Sequence, residues 1–265
     1  DCFRGAPLDT ARGKYPVIVF VHGTAGFRHQ SLSFMTHWAS YGFVVAALDH
    51  PGLKLGDMLA FRLEQNLQSD VDNLVRALDD PSGDLAFLSG SIDMTRMAVA
   101  GHSAGGQVAR SWGDRAQVLI PMAASGTEPG AQLKSSLILG GMEDGVADFR
   151  GQEQGYEQTT GTKRLVGLSD AGHLAFSDLC LLGAADGGLV QIAQDAGVSG
   201  AGFASFLWDG CDTGNLQADV GIEIVNVVTT SVLSEVLQCR ANQTNSLSEI
   251  RSIYSDVGEY LQSLE

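Results

Sequence analysis

No stretch of this 265-residue chain stays apolar for long. The longest unbroken run, Phe43–Leu48, has six residues against the roughly 20 of a bilayer-crossing helix, so no membrane span is expected. Positive charge is scarce: 16 Lys+Arg stand against 31 Asp+Glu, a net charge of −15. Such a field repels phosphate backbones and acidic lipid, and nucleic acid is not an expected partner. Cysteine is sparse as well. Cys2, Cys180, Cys211 and Cys239 form no C-x-x-C pair, and no Cys or His falls at zinc-ligand spacing, so no metal site is expected. Neither G-x-x-x-x-G-K-S/T nor G-x-G-x-x-G occurs, which argues against a phosphate-cradling loop. With 44% hydrophobic and 18% charged residues, the composition excludes a disordered or fibrous chain.

What is present is an alternation of short apolar runs with amphipathic stretches. Tyr15–Val21, Phe43–Leu48, Met97–Ala100, Val118–Ala123, Ser136–Leu139 and Arg164–Leu168 read as buried strands. Between them, Ser33–Tyr41, the stretch from Asp57 to Asp79, Gln107–Trp112 and Phe149–Gln158 read as helices. That order predicts an α/β fold, a mostly parallel sheet with helices on both faces, within a single domain whose core spans about 15–175. Residues 178–219 are Gly-rich and contain Cys180 and Cys211. They read either as a linker or as a disulfide-braced cap or wall. Residues 222–265 are expected to be helical, as Ile222–Leu237 and an amphipathic Ser246–Leu264. Four cysteines allow three pairings; sequence order favours Cys180–Cys211 and Cys2–Cys239, with four free thiols as the alternative. Paired cysteines and a start at Asp1 rather than Met fit a processed secreted protein, extracellular or periplasmic, though a trimmed chain would start the same way.

In a sheet of this kind the ligand site lies beyond the carboxyl ends of the strands, and the chemical residues follow apolar runs. Gly101-His102-Ser103-Ala104-Gly105 is a G-x-S-x-G sequence between a strand and a helix. A serine there sits on a sharp turn that lifts its hydroxyl clear of the sheet, and Ser103 is the expected nucleophile. His173 is the only histidine downstream of Ser103, which makes it the expected base in the order serine, acid, histidine. Three carboxylates, Glu143, Asp144 and Asp148, follow the strand Ser136–Leu139. Asp144 is the expected acid, because Asp148 reads as a helix N-cap and Glu143 should point the other way. The backbone N–H groups of Thr24, in His22-Gly23-Thr24-Ala25-Gly26, and of Ala104 are the expected oxyanion donors.

Taken in order, H-G-T-A-G, G-H-S-A-G-G, E-D-G-V-A-D and D-A-G-H resemble the α/β-hydrolase superfamily over residues 15 to about 175. The stretch Val17–His50 is similar to the branch holding platelet-activating-factor acetylhydrolases, dienelactone-hydrolase-like esterases and cutinase-type polyester hydrolases. The resemblance implies a Ser103–His173–Asp144 triad, ester hydrolysis and no cofactor. The substrate would be a polymeric ester or a lipid or small ester, and an amidase would use the same residues. Phe27, Met122, Phe176 and Trp208 are the expected substrate contacts, and a monomer is the expected state. This chain departs from the polyester hydrolases in having Thr24 where an aromatic residue is usual, and no aromatic in Pro121–Gly126.

Overall fold

The structure, a computed structural model, describes residues 5–182, 187–197 and 209–265. Cys2 and Trp208, named above, lie outside the described residues. Strand β1 (Tyr15–Val21) is followed by α1 (Leu32–Ser40), β2 (Val44–Ala47), α2 (Leu55–Leu59) and α3 (Leu67–Asp79). Next come β3 (Ile92–His102), α4 (Ala104–Ala109), β4 (Val118–Met122), β5 (Ser135–Gly141), α5 (Phe149–Gln158) and β6 (Lys163–Leu168). The chain continues through α6 (Gly188–Asp195), α7 (Ala218–Leu237) and α8 (Ile250–Ile253) to β7 (Val257–Ser263).

The seven strands form one sheet in the order β2-β1-β3-β4-β5-β6-β7. All pairs are parallel except β6–β7. Strand alternation sorts the apolar side chains onto two faces. Val17, Val19 and Val21 of β1 pack with Val71, Val75 and Leu78 of α3 and with Trp112. Ile18 and Phe20 pack on the other face with Phe34 and Trp38 of α1 and with Ile224, Val228 and Val232 of α7. The central strands β1, β4, β5 and β6 are therefore buried on both faces, which is why they read as continuous apolar runs rather than alternating ones. Helix α3 begins where the Asn66 side chain accepts from Ser69 N, a side-chain cap that satisfies one orphan donor.

Helix α7 is the one described helix long and apolar enough to cross a membrane by length and composition, at a mean hydropathy of 1.6. The expectation of no span rests on unbroken runs, and Glu223 and Glu235 interrupt this one. More than half of its apolar window is buried inside the protein. The helix packs on α1 and on the central strands, and Trp38 Nε1 donates to Thr229 Oγ1 at 2.9 Å.

The C-terminal reading needs correction. Residues 246–264 do not form one helix: a 3-10 turn (Asn245–Glu249) and the single turn α8 lead into strand β7. Leu247, Ile250 and Val257 are buried, so the helical spacing of the first half is genuine but short. Beyond it, β7 pairs antiparallel with β6, Lys163 opposite Ser263 and Val166 opposite Tyr260. Pairing covers the row of N–H and C=O groups that β6 would otherwise expose at the sheet edge. Gly258 permits the approach, since a Cβ there would press on Met142 Sδ and Ser169 Oγ.

Cys180 and Cys211 form a disulfide, and Cys239 is exposed with no partner among the described residues. The bridge closes a sequence separation of 31 residues. Removing such a cross-link from the unfolded chain's constraints costs about 2–4 kcal/mol. Reduction should therefore lower the thermal midpoint, as read by calorimetry with and without reductant; an unchanged midpoint would contradict the pairing.

Candidate active site

Ser103 stands between β3 and α4 with φ 55° and ψ −118°, a region that a residue with a side chain occupies only when its surroundings over-determine it. Here three glycines do so. A Cβ on Gly101 would strike the backbone of Gly105, and one on Gly105 would strike the Val21 carbonyl of β1. At Gly106 it would lie 2.7 Å from Ala124 Cβ. The turn is further pinned by Ser103 N donating to Met122 O at 2.9 Å. The Ser103 carbonyl accepts from Gln107 N at 3.0 Å. In a trans peptide C=O and N–H point oppositely, so Ala104 N–H projects out of the helix N-terminus, where the dipole favours negative charge.

The loop after β1 uses the same geometry. His22 Nδ1 lies 2.8 Å from Gly23 O, and Gly26 N also donates to that oxygen at 3.1 Å. Two donors on the Gly23 carbonyl fix the Gly23–Thr24 peptide plane and with it the direction of Thr24 N–H. His22 Nε2 accepts from His50 N at 3.1 Å. The imidazole therefore carries its proton on Nδ1 and is neutral.

Asp144 follows β5 and is buried. Its Oδ1 accepts from Val146 N at 2.8 Å and Ala147 N at 2.7 Å. The carboxylate meets His173 Nδ1 at 2.9 Å through Oδ2 and 3.1 Å through Oδ1. His173 must then carry a proton on Nδ1, which leaves Nε2 as its basic nitrogen. Its ring lies 4.8 Å from that of His102, the residue before Ser103, centroid to centroid. Asp148 caps α5 by accepting from Arg150 N at 2.9 Å, and Glu143 is exposed.

Two expected substrate contacts are corrected by burial. Met122 and Phe176 are 0% exposed. Met122 points into the core from β4, and Phe176 packs in the cluster with α1 and α7; neither side chain can meet a substrate. Phe27 is half-buried beside the Thr24 loop.

Asp209 is a residue that sequence reasoning misses. Its Oδ2 accepts from His173 N at 2.6 Å and from Gly145 N at 3.1 Å, and its carbonyl accepts from Leu174 N at 2.9 Å. One carboxylate thus ties the loop of His173 to the loop of Asp144, two residues from the Cys211 bridge. Leu216 N donates to Asp170 O at 2.8 Å, so Asp209 and Leu216 both bond to the backbone of the His173 loop. Only their position beside Cys211 could have signalled this. On the other side, Ser31 Oγ donates to Phe176 O at 3.1 Å, and the Asp178 carboxylate accepts from Ser33 N at 2.8 Å. Asp178 thereby caps α1, whose own N-cap Ser31 makes no side-chain cap bond.

The family model of platelet-activating factor acetylhydrolase, isoform II, matches residues 1–54. A platelet-activating factor acetylhydrolase from Cavia porcellus is 26% identical over 38% of this chain and 32% of its own length. The match therefore spans about a third of that relative. Among solved structures, a ferulic acid esterase from Streptomyces cinnamoneus superposes with a TM-score of 0.62 at 23% identity, over 86% of this chain and 68% of that one.

Burial holds two histidines of this region neutral. Desolvation pushes His22 down from 6.5 to about 4 and His102 to about 3, and it also lowers His50. In the unfolded chain these groups titrate near 6.5, so below that pH the unfolded state binds more protons. Stability present above about pH 6.5 is therefore lost as pH falls toward 4, by up to ~1.4 kcal/mol per unit for each buried imidazole. Asp178, raised by burial, acts in the opposite direction. Denaturant midpoints measured across this range should fall steadily on acidification; a flat profile would contradict neutral buried imidazoles. Strand order, parallel register and the structural likeness agree, and the chain has the α/β-hydrolase fold.

Proposed function

We propose that this chain is a serine carboxylic-ester hydrolase in which Ser103, His173 and Asp144 act as a triad. The observation that supports the reading is the buried Asp144–His173 hydrogen bond; the strained strand-to-helix turn carries Ser103 directly after His102, whose ring lies 4.8 Å from that of His173. In this reading Ser103 Oγ attacks the ester carbonyl while His173 Nε2 takes its proton. Asp144 holds the proton on Nδ1 and stabilises the imidazolium that forms. Charge develops on the carbonyl oxygen, and the N–H groups of Thr24 and Ala104 are the proposed donors to it. One such donor contributes roughly 3 kcal/mol in enzymes of this kind. His173 then returns the proton to the leaving alcohol, and water repeats the cycle on the acyl-enzyme. No step requires a cofactor or metal.

The similarity to an acetylhydrolase and to a ferulic acid esterase supports a small ester with a short or aryl acyl group as substrate. Phe27, at the rim of the Thr24 loop, is the proposed acyl contact. Polyester or amide cleavage would use the same residues. The Cys180–Cys211 bridge supports an extracellular or periplasmic setting, and a monomer is proposed.

Ser103→Ala should lower kcat by at least about 1,000-fold without changing the thermal midpoint; retained turnover would overturn the assignment. Across p-nitrophenyl esters of increasing chain length, a feruloyl ester, an anilide and an aromatic polyester film, the short and aryl esters should turn over fastest. Preference for the film or the anilide would replace the substrate proposed here.

A further inference from the structure

Two buried side chains that the mechanism above leaves unused, Gln30 and His102, lie between its parts. Gln30 Oε1 accepts from Gly23 N at 3.3 Å, in the loop that presents Thr24. Gln30 Nε2 lies 3.0 Å from His102 Nδ1, on the residue preceding Ser103. His102 Nε2 lies 2.9 Å from the carbonyl of His173. Gln30 is 1% and His102 3% exposed, so no water competes for these bonds. Glycine contacts hold the chain tight: a Cβ on Gly23 would press on His102 Nδ1, and one on Gly26 would overlap Gln30 Oε1. The backbone of Gln30 joins the same assembly, its carbonyl accepting from Asp178 N at 2.7 Å.

Only one proton arrangement satisfies every contact. The His173 carbonyl is an acceptor, so His102 Nε2 must carry the hydrogen. His102 Nδ1 is then a bare lone pair and accepts from the Gln30 amide, whose oxygen takes the Gly23 N–H. The chain runs from the oxyanion loop through the residue beside the nucleophile to the base, in a single direction and without an unpaired atom. Buried polar chains of this kind are high-stakes, since reversing one member leaves a neighbour unpaired in low dielectric.

We infer that Gln30 and His102 are positioning residues that lock the Thr24 oxyanion loop and the His173 loop to one another through a neutral, Nε2-protonated His102. The inference rests on the triad reading for its consequence in catalysis, but the proton arrangement can be observed without it.

The test is Gln30→Glu. A carboxylate keeps the acceptor for Gly23 N–H and removes the donor facing His102 Nδ1. His102 must then either move its proton to Nδ1, setting a lone pair against the His173 carbonyl, or take a second proton and donate at both ends. The titratable groups facing His102 are His173 and Asp144, from the loops after β6 and β5, and His22 at the end of β1. Around position 30 they are His102 itself, Asp178, and the exposed Arg28–Asp49 ion pair on the same and the neighbouring loop. Of these contacts, only the pairing of the introduced carboxylate with His102 is newly created by the substitution.

For the wild type, kcat/KM should rise with pH and then stay level. For Gln30→Glu it should become bell-shaped, within about 3-fold of wild type near pH 6 and at least about 10-fold below it near pH 8, as His102 loses its second proton. Imidazole 15N spectra should report His102 as the neutral Nε2–H form in the wild type from about pH 5 to 8, and as imidazolium in the variant at the low end. A variant that is uniformly slower with an unchanged pH profile, or a wild-type His102 protonated on Nδ1, overturns the inference. Should Gln30→Glu not fold, His102→Gln decides: it retains a donor for the His173 carbonyl and should keep at least about 10-fold more kcat than His102→Ala, equal loss in both overturning the proposal. A wild type that shows the Nε2–H spectrum but hydrolyses no ester would leave the relay standing and remove the triad reading instead.

Discussion

The site depends on a backbone conformation that the chain would not adopt alone. Ser103 is held at φ 55° because Gly101, Gly105 and Gly106 let β3, α4 and β1 approach to distances at which any side chain would intrude. That close approach converts a strand end into a helix start within one residue. It places the serine hydroxyl outside the sheet and Ala104 N–H at the head of a helix. The strain is sustained by the two-faced core around the central strands, which is why a fold buried on both sides of its sheet suits such a turn.

Around that turn, order comes from hydrogen bonds to backbone rather than from ion pairs. Asp144 is fixed by two N–H groups of its own loop, the His173 loop by Asp209 and His102, the Gly23–Thr24 peptide by His22 and Gly26, and the His22–Gly23 peptide by Gln30. Acceptors that are anionic or neutral by burial suit a chain with an excess of 15 negative charges, because the histidines here need not be protonated for the geometry to hold. The Cys180–Cys211 bridge belongs to the same system, holding the segment that carries Asp209 against both loops.

How much of this is legible in the sequence follows from range. The strand-turn-helix at 101–106 is local, and its glycines announce it. Asp144 and His173 emerge from chain order, because each follows a strand whose apolar run is unmistakable. Asp209 and Gln30 do not, since their partners are backbone N–H groups and an imidazole, 36 and 72 residues away for His173 and His102, and an isolated Asp or Gln carries no pattern. The last strand reads as a helix because Leu247, Ile250 and Val257 do recur at helical spacing, whereas the demand that overrides it comes from the open edge of β6. Met122 and Phe176 are expected substrate contacts through the family resemblance, which says nothing about the face on which a side chain lies.

The central claim is that Ser103 becomes covalently acylated because His173 takes its proton. Rapid mixing with an excess of a p-nitrophenyl ester, quenched in acid and read by peptide mass spectrometry, tests it most directly. The account predicts one acyl group per chain, on Ser103, formed with the first burst of nitrophenol and absent in His173→Ala. An acyl group on another residue, or on Ser103 at an undiminished rate without His173, would contradict it.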